Sequence, residues 1–237
     1  MKILGIDSSG LVASVAVVEE DVMLAEYTVN YKKTHSQTLL PMLDAIVKMT
    51  ELDLTTLDAI AVAAGPGSFT GLRIGSATVK GLGLALGKPV IPVPTVDGLA
   101  YNLYGTDKVI CPLMDARRNQ VYTGIYEFCG DELQILEPQM AVAVTEMIEK
   151  LNVLGREVIF LGDGVPVYRE ILEKETKVPY SFAPAHMNKQ RAAAVAALGA
   201  KYFAQGRVES AAEHKPDYLR LSQAERERKE KEEQCSK

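Results

Sequence analysis

Apolar and polar positions alternate along the first half of the chain in a pattern that predicts short strands followed by strand–helix pairs. Three apolar runs at the start are separated by polar turns, which is typical of a three-stranded antiparallel meander. A helix, a strand, a helix, a strand and a third helix follow, and this order favours a mixed sheet in an α/β protein. The predicted strands cover 2–6, 11–18, 23–29, 57–62 and 88–94, and the predicted helices cover 36–50, 71–86 and a stretch that opens at Thr95.

The second half loosely repeats this order of elements. We predict strands over 109–114, 120–128, 133–135 and 158–161, and helices over 145–151 and 191–204. This order supports a degenerate duplication, although no repeat is visible in the residues themselves. We therefore expect two lobes, 1–104 and 105–223. The last residues, 224–237, carry five basic and five acidic side chains and no core, which predicts a frayed helix or a disordered tail.

The two long helices predicted in the first half carry wider apolar surfaces than a helix needs when it covers a core on one side only. The second helix also has glycines on one stripe, and a glycine inside a helix costs about 1 kcal/mol relative to alanine. Close approach of another helix is the usual compensation. Two interpretations stay open: the chain's own second layer buries these faces, or one face meets the sheet and the other a second protein chain. The residues predicted to meet a second chain are Leu39, Met42, Leu43, Ile46 and Met49 on the first helix and Gly71, Gly75, Thr78 and Leu82 on the second.

Two polar segments at strand ends are candidates for binding a phosphate or a magnesium ion. Asp7 ends the first strand and is followed by Ser8 and Ser9, whose backbone N–H groups could assist its carboxylate. Gly65 and Gly67 flank a proline before the second helix and could present N–H groups to an anion. The alternative for both segments is local, with the acid capping its own turn and a hydroxyl side chain capping the helix. The glycine-rich segment is not a P-loop, because no lysine directly follows its last glycines.

Other chemistry-bearing residues give weaker signals. The histidines His35, His186 and His214 share no metal-ligand spacing, so we predict no metal site. Arg117 and Arg118 lie in a predicted turn, where they either clamp a carboxylate or phosphate or are simply solvated. The sequence contains no Gly-x-Ser-x-Gly motif, and no cysteine has a histidine neighbour. No signature of nucleophilic catalysis is therefore visible.

Composition and charge narrow the function classes. The chain of 237 residues has a formal net charge of −5, whereas a protein that binds free nucleic acid by itself usually has a basic excess. The three cysteines are far apart and odd in number, which favours a reducing compartment. Asp7 comes too early for a signal peptide, and no run of about 18 apolar residues predicts a membrane span. We therefore expect any role with nucleic acid to run through a partner.

Six segments that occur in order along the chain resemble the TsaB family of tRNA threonylcarbamoyladenosine biosynthesis proteins. They read GIDSS, HSQTLLP, GPGSFTGLRIG, KGLGLALGKPVIPV, DARRNQVYTGIY and PDYLR, and the similarity runs from about residue 2 to about residue 221. The resemblance implies the actin/hexokinase/Hsp70-like (ASKHA) fold, an α/β architecture of two lobes, each with a mixed β-sheet flanked by helices. It also implies a glycoprotease-like relationship to the paralogue TsaD, the subunit that transfers the threonylcarbamoyl group.

The resemblance further implies a function without chemistry of its own. TsaD has a His-x-x-x-His metal motif, and Thr95 and Leu99 stand here at the two histidine positions, so the metal pair cannot form. We therefore expect a non-catalytic scaffold or activator of the complex that modifies the adenosine next to the anticodon of tRNAs reading ANN codons. The alternative is an independent ATP-using kinase-like or metallopeptidase-like enzyme of the same fold.

The expected partners and location follow from the same resemblance. TsaD and the ATPase TsaE are the implied partner subunits, and the contact with TsaD is implied to be a four-helix interface that uses the two long helices. The free chain is expected to form a homodimer, to meet tRNA only through the complex, to contact no membrane and to be cytoplasmic. No catalytic residue and no bound metal are expected. No cofactor is firmly predicted, and ATP or ADP at or near the partner interface stays open.

Overall fold

The computed structural model describes residues 1–31 and 33–220, and the predicted tail at 224–237 lies outside them. Two five-stranded mixed sheets organise this part of the chain. The strands of the first sheet are β1 (Lys2–Asp7), β2 (Ala13–Glu19), β3 (Val22–Val29), β4 (Ala59–Gly65) and β5 (Val90–Pro94). Their spatial order is β3-β2-β1-β4-β5, with β2 antiparallel to both of its neighbours and β1 parallel to β4. The predicted meander is therefore confirmed.

The second sheet repeats the arrangement of the first. Its strands are β6 (Val109–Asp115), β7 (Gln120–Cys129), β8 (Glu132–Ala143), β9 (Val158–Leu161) and β10 (Tyr180–Phe182). Their spatial order is β10-β9-β6-β7-β8. When this order is read from the opposite edge, the third, second, first, fourth and fifth strands of the second lobe lie side by side, as they do in the first sheet. The loose repeat in the sequence is thus a repeat of topology.

Within the described residues, six α-helices cover the sheets. They are α1 (His35–Thr50), α2 (Phe69–Leu86), α3 (Thr95–Tyr101), α4 (Val144–Leu154), α5 (Gly164–Glu175) and α6 (Ala192–Ala204). Helices α1 and α2 pack on one face of the first sheet and α6 on the other, whereas α4 and α5 cover one face of the second sheet. Helix α3 lies between the lobes, where its side chains join those of β6 and β7 in an apolar cluster. No helix in this part of the chain is long and apolar enough to cross a bilayer.

Local sequence sets both ends of α2. The side chain of Ser68 accepts a hydrogen bond from the N–H of Gly71 at 3.3 Å, which caps the N-terminus. Gly87 ends the helix with a φ of 65°, a left-handed conformation that glycine adopts without strain. The helix predicted over 71–86 ends at the same residue as the observed helix. The observed helix begins two residues earlier than predicted, at Phe69, because Ser68 caps it there.

The predicted lobe boundary needs a correction, because the chain does not stay in the second lobe up to residue 223. Helix α6 packs Val195, Ala196 and Leu198 against the first sheet. Further along, the N–H of Asp217 donates to the carbonyl oxygen of Ala64 at 2.7 Å. The chain therefore returns to the first lobe after β10, since α6 supplies the apolar cover that the second face of that sheet needs.

A buried polar triad also joins the two lobes. Asp97 of α3 accepts hydrogen bonds from the hydroxyl groups of Tyr126 in β7, at 2.8 Å, and Tyr202 in α6, at 3.1 Å. Burial raises the pKa of Asp97, and burial together with the nearby Asp97 raises the pKa of Tyr202 to about 12. The two hydroxyls thus supply the donors that a buried carboxyl group requires.

Candidate functional site

A cleft of about 790 Å³ lies between the lobes, at the carboxyl ends of β1, β4 and β6. Ligands of α/β proteins commonly bind at the carboxyl ends of strands. The polar side chains that line the cleft include His35 from the first lobe and Asp115 and Asp163 from the second. Asp163 is absent from the predicted site residues, although its position in a Gly-Asp-Gly segment directly after an apolar strand was a usable signal.

Asp7 is buried at the end of β1, and its carboxylate is directed into its own turn. Its Oδ1 accepts hydrogen bonds from the N–H of Ser9 at 2.9 Å and from the Oγ of Ser9 at 2.6 Å. Burial raises the pKa of Asp7 to about 6, and the two hydrogen bonds from Ser9 oppose this shift. The geometry matches the local-capping interpretation, since the acid stabilises the turn that follows it.

The glycine stripe of α2 faces residues 8–12 of the same chain, which connect β1 to β2 and which we call the β1 loop. Ser8 donates a hydrogen bond from its Oγ to the carbonyl oxygen of Gly71 at 2.9 Å. A Cβ atom added to Gly75 would lie 2.5 Å from the same Oγ and 3.8 Å from the side chain of Val62 in β4. The nearest neighbour of the glycines is therefore a loop of the same chain, and the other helix near them is the chain's own α1, whose His35 would lie 3.4 Å from a Cβ atom on Gly71.

Gly65 and Gly67 also serve close packing within the chain. Gly65 has a φ of 129°, which side chains rarely allow, and a Cβ atom there would collide with the carbonyl oxygen of Asp217. A Cβ atom on Gly67 would collide with the carbonyl oxygen of Ser9, and the N–H of Ser68 donates to that oxygen at 2.7 Å. The glycine-rich turn is thus packed between the β1 loop and the segment around Asp217.

Most of the residues predicted to meet a second chain lie inside this one, which corrects the predicted interface. Those in the core of the first lobe, each at most 4 % exposed, are Leu39, Met42, Leu43 and Ile46. Thr78 and Leu82 are half-buried, and Leu82 packs against the same core. Met49 is 88 % exposed. The prediction selected the inner faces because periodicity shows that a helix face is apolar but not what covers it.

The solvent side of the same two helices is formed by other residues. On α2 it contains Ala77, Gly81 and Leu84, which follow one another at helical spacing, and Leu84 is 64 % exposed. On α1 it contains Leu40, which is 54 % exposed, and Met49 near the end of the helix. A Cβ atom added to Gly81 would meet nothing within 4 Å. We call these five exposed residues together the outer face. Leu40 and Met49 lie on opposite flanks of α1, because they are nine positions apart, and the exposed ion pair of Asp44 and Lys48 lies between them.

The two positions at which the family resemblance places metal-binding histidines in TsaD are interior here. Thr95 is fully buried, and its Oγ1 accepts a hydrogen bond from the N–H of Gly65 at 3.1 Å. Leu99 packs in the apolar cluster between the lobes. Among residues 1–31 and 33–220, no group of three or more His, Cys, Asp or Glu side chains is placed to hold a metal ion. Both side chains therefore contribute packing, and Thr95 also satisfies a backbone donor.

The other candidate residues have structural partners. The Nε2 of His35 lies 2.9 Å from a main-chain carbonyl oxygen of the β1 loop, and the Nδ1 of His214 is hydrogen-bonded to the side chain of a glutamate five residues earlier. Arg117 lies at the cleft, and its N–H donates to Asp115 at 2.8 Å. Arg117 and Arg118 have φ values of 63° and 57°, an uncommon conformation for side-chain-bearing residues. The arginine turn is therefore held in a defined shape at the edge of the cleft.

Comparisons with known proteins agree with this geometry. A family model described as "TsaD: tRNA N6-adenosine threonylcarbamoyltransferase" matches residues 23–228. The chain is 34% identical over 227 residues to the tRNA threonylcarbamoyladenosine biosynthesis protein TsaB of Bacillus subtilis strain 168, which covers 95% of this chain and 96% of that protein. A crystal structure from Pseudomonas aeruginosa, of an uncharacterized protein with similarity to the peptidase YeaZ, matches with a TM-score of 0.80 at 27% identity, covering 92% of this chain and 99% of that one. Component A of (R)-2-hydroxyglutaryl-CoA dehydratase from Acidaminococcus fermentans matches in fold alone, with a TM-score of 0.50 at 11% identity over 86% of this chain and 99% of that one.

The duplicated mixed sheets with a cleft between them define a two-lobed protein of the actin/hexokinase/Hsp70-like class, as the sequence predicts. The full-length similarity narrows the class further. The chain belongs to the TsaB family of tRNA threonylcarbamoyladenosine biosynthesis proteins. The same comparisons do not favour an independent kinase-like or metallopeptidase-like enzyme.

Proposed function

We propose that the chain is a non-catalytic subunit of the assembly that forms threonylcarbamoyladenosine in tRNA, and that it acts by docking a transferase of the TsaD type. The observation that carries this proposal is the interior position of Thr95 and Leu99. Leucine has no ligand atom, and the hydroxyl of Thr95 is engaged by a backbone N–H. The carboxylate of Asp7 and the glycine-rich turn are likewise engaged within the chain, which supports a scaffold.

We assign the transferase to the outer face of α1 and α2. A helical layer from a partner would bury Leu84 and the exposed apolar side chain on whichever flank of α1 it covers, Leu40 or Met49, and these are otherwise exposed to water. The missing side chain at Gly81 lets a partner helix come close to the backbone of α2. Without the transferase, a second copy of the chain would cover the same face about a two-fold axis.

The proposal also includes the third subunit, the way in which tRNA is bound and the location. TsaE is the third subunit, and tRNA is met through the complex, in line with the net charge of −5 on this chain. The location proposed for the assembly is the cytoplasm.

Binding measurements on purified proteins test the proposal. We expect Leu84→Asp to weaken both homodimerisation and binding to the TsaD-type transferase of the same genome at least tenfold, because a carboxylate would be buried unpaired in the contact. Val153→Asp is the matched control, since Val153 is 88 % exposed on α4 of the second lobe, and it should bind like the wild type. The chain alone should neither hydrolyse ATP nor modify tRNA. Turnover by the pure chain, or wild-type affinity of Leu84→Asp, would contradict the proposal.

A further inference from the structure

We infer that residues 216–220, Pro-Asp-Tyr-Leu-Arg, form a strap that fastens the two lobes to each other along the interlobe cleft. This segment is one of the six family-like motifs, yet docking through the outer face gives it no role. Four of its residues line the cleft. The inference does not depend on the proposed function, because it concerns how the two lobes of the free chain are held.

The first end of the strap is attached to the first lobe. The N–H of Asp217 donates to the carbonyl oxygen of Ala64 at 2.7 Å, and the absence of a side chain at Gly65 makes room for the Asp217 carbonyl group. The ring of Tyr218 then packs against Phe69 of α2, with 4.8 Å between ring centroids. Backbone pairing and aromatic packing therefore fix this end to the β4–α2 connection.

The second lobe holds the same segment through two further hydrogen bonds. Arg220 donates from Nη1 to the carbonyl oxygen of Ala116, directly after β6, at 2.7 Å. Gln139 of β8 donates from Nε2 to the carboxylate of Asp217 at 3.0 Å. Only a few residues of chain thus bond to both lobes, and the span between Asp217 and Arg220 cannot lengthen by much without breaking one of these bonds.

The strap differs in kind from the buried connections between the lobes, which are the apolar cluster around α3 and the Asp97 triad. The apolar cluster around α3 is fully buried and behaves as a fixed joint. In contrast, Tyr218 and Leu219 of the strap are more than one third exposed, and the bonds to the second lobe are made by a few polar groups. Exposed contacts of this type open locally at low cost. A fixed joint beside a releasable strap allows the lobes to hinge when the strap lets go.

Distance measurements between the lobes test the inference in the full-length chain. Spin labels replace Met49 and Val153, which are each 88 % exposed and lie in different lobes, in a background with Cys129→Ser and Cys235→Ser. We expect one narrow distance distribution for this parent when the labelled chain is diluted into an excess of unlabelled chain, so that labels on a second copy do not contribute. Removing both bonds between the strap and the second lobe with Gln139→Ala and Arg220→Ala should widen the distribution severalfold. The control pair Gln134→Ala and Arg169→Ala removes an exposed glutamine and an exposed arginine of the second lobe that do not line the cleft, and it should leave the distribution unchanged.

Amide hydrogen exchange gives a second measurement, which would not change if each bond of the strap acted only locally. If the strap acts as one unit, Arg220→Gln should speed exchange of the Asp217 N–H at least tenfold, although that N–H bonds to the other lobe. Unchanged exchange would overturn the inference, because the two ends would then be independent. An unchanged distance distribution in the double variant would also overturn it, because the joint around α3 would then hold the lobes without the strap.

Discussion

The Oγ of Ser8 donates a hydrogen bond to the carbonyl oxygen of Gly71 across 2.9 Å, and this contact determines which side of α2 faces the solvent. One turn further along the helix, Gly75 provides the space in which the same hydroxyl lies. A helix whose glycine stripe holds a serine of the β1 loop must present its opposite side, with Gly81 and Leu84, to any partner. The contact therefore links the packing of the first lobe to the position of its docking surface.

Gly75→Leu is expected to destabilise the fold. The added Cβ atom would lie 2.5 Å from Ser8 Oγ, so the β1 loop has to move, and overpacking of this kind costs about 1–3 kcal/mol. Gly81→Leu is the matched control on the same helix, because nothing lies within 4 Å of the added Cβ atom. Urea unfolding at a concentration that keeps both variants monomeric should show a lower free energy of unfolding for the first variant only. Equal stability of the two variants would mean that the stripe does not face the β1 loop.

The sequence predicts the local features of this lobe well and its long-range contacts poorly. Hydrophobic periodicity locates α1 and α2, and the glycines of α2 correctly indicate a close neighbour. The identity of that neighbour depends on the loop around Ser8, which lies more than sixty residues earlier in the chain. For the same reason the sequence does not show that α6 returns to the first sheet, since an alanine-rich helix fits either lobe.

In the candidate site, too, the sequence predicts the local features but not the long-range contacts. A strand-end acid and a glycine-rich turn are visible in the sequence, and the structure brings Asp7 and Gly67 close through Ser9. Whether their polar groups are free or engaged depends on partners such as Asp217, which lies far away in sequence. Helix α5 was not predicted, although Val165, Tyr168 and Leu172 lie at helical spacing and are buried.

Asp7→Asn should stabilise the chain at neutral pH and not in acid. The carboxyl group of Asp7 has a pKa of about 6 in the folded state and an ordinary value of 3.8. Between these pH values the folded state binds a proton that the unfolded state has released, so stability falls as the pH rises through this window. The full shift corresponds to about 3 kcal/mol. Asparagine stays uncharged and keeps an oxygen that accepts hydrogen bonds from Ser9.

Urea unfolding of both proteins at pH 4 and pH 7.5 checks this prediction, and the difference between variant and wild type cancels the titration of other groups. We expect the advantage of Asp7→Asn to be largest at the higher pH and to disappear at the lower one. A wild type as stable as the variant at pH 7.5 would show that a cation compensates the charge of Asp7.

Tyr126→Phe should weaken the connection between the lobes. The variant removes the 2.8 Å hydrogen bond to Asp97 and leaves Tyr202 as the remaining side-chain donor to this carboxyl group. An unsatisfied buried polar group costs about 1–3 kcal/mol. Because the lost bond lowers the pKa of Asp97, we expect that pKa to rise further and the destabilisation to grow with pH. Thermal unfolding scans at several pH values measure the destabilisation of Tyr126→Phe. In the same scans, Tyr104→Phe, at a tyrosine that is 55 % exposed, should change the melting temperature little. A pH-independent loss in Tyr126→Phe would point to packing alone.

Gly65→Ala should lower stability for two separable reasons. At a φ of 129° a side chain strains the backbone, and the added Cβ atom would also collide with the carbonyl oxygen of Asp217 in the strap. Gly87→Ala is a control for a left-handed glycine with open space around it, and a cost of about 1 kcal/mol is expected there. Repeating Gly65→Ala in a chain that ends at Lys215 removes the collision and keeps the strain. If the strap packs on Gly65, the free-energy penalty measured by urea unfolding should be at least about 1 kcal/mol smaller in the shortened chain. An equal penalty in both chains would mean that strain explains the whole effect and that the strap yields to the new side chain without loss.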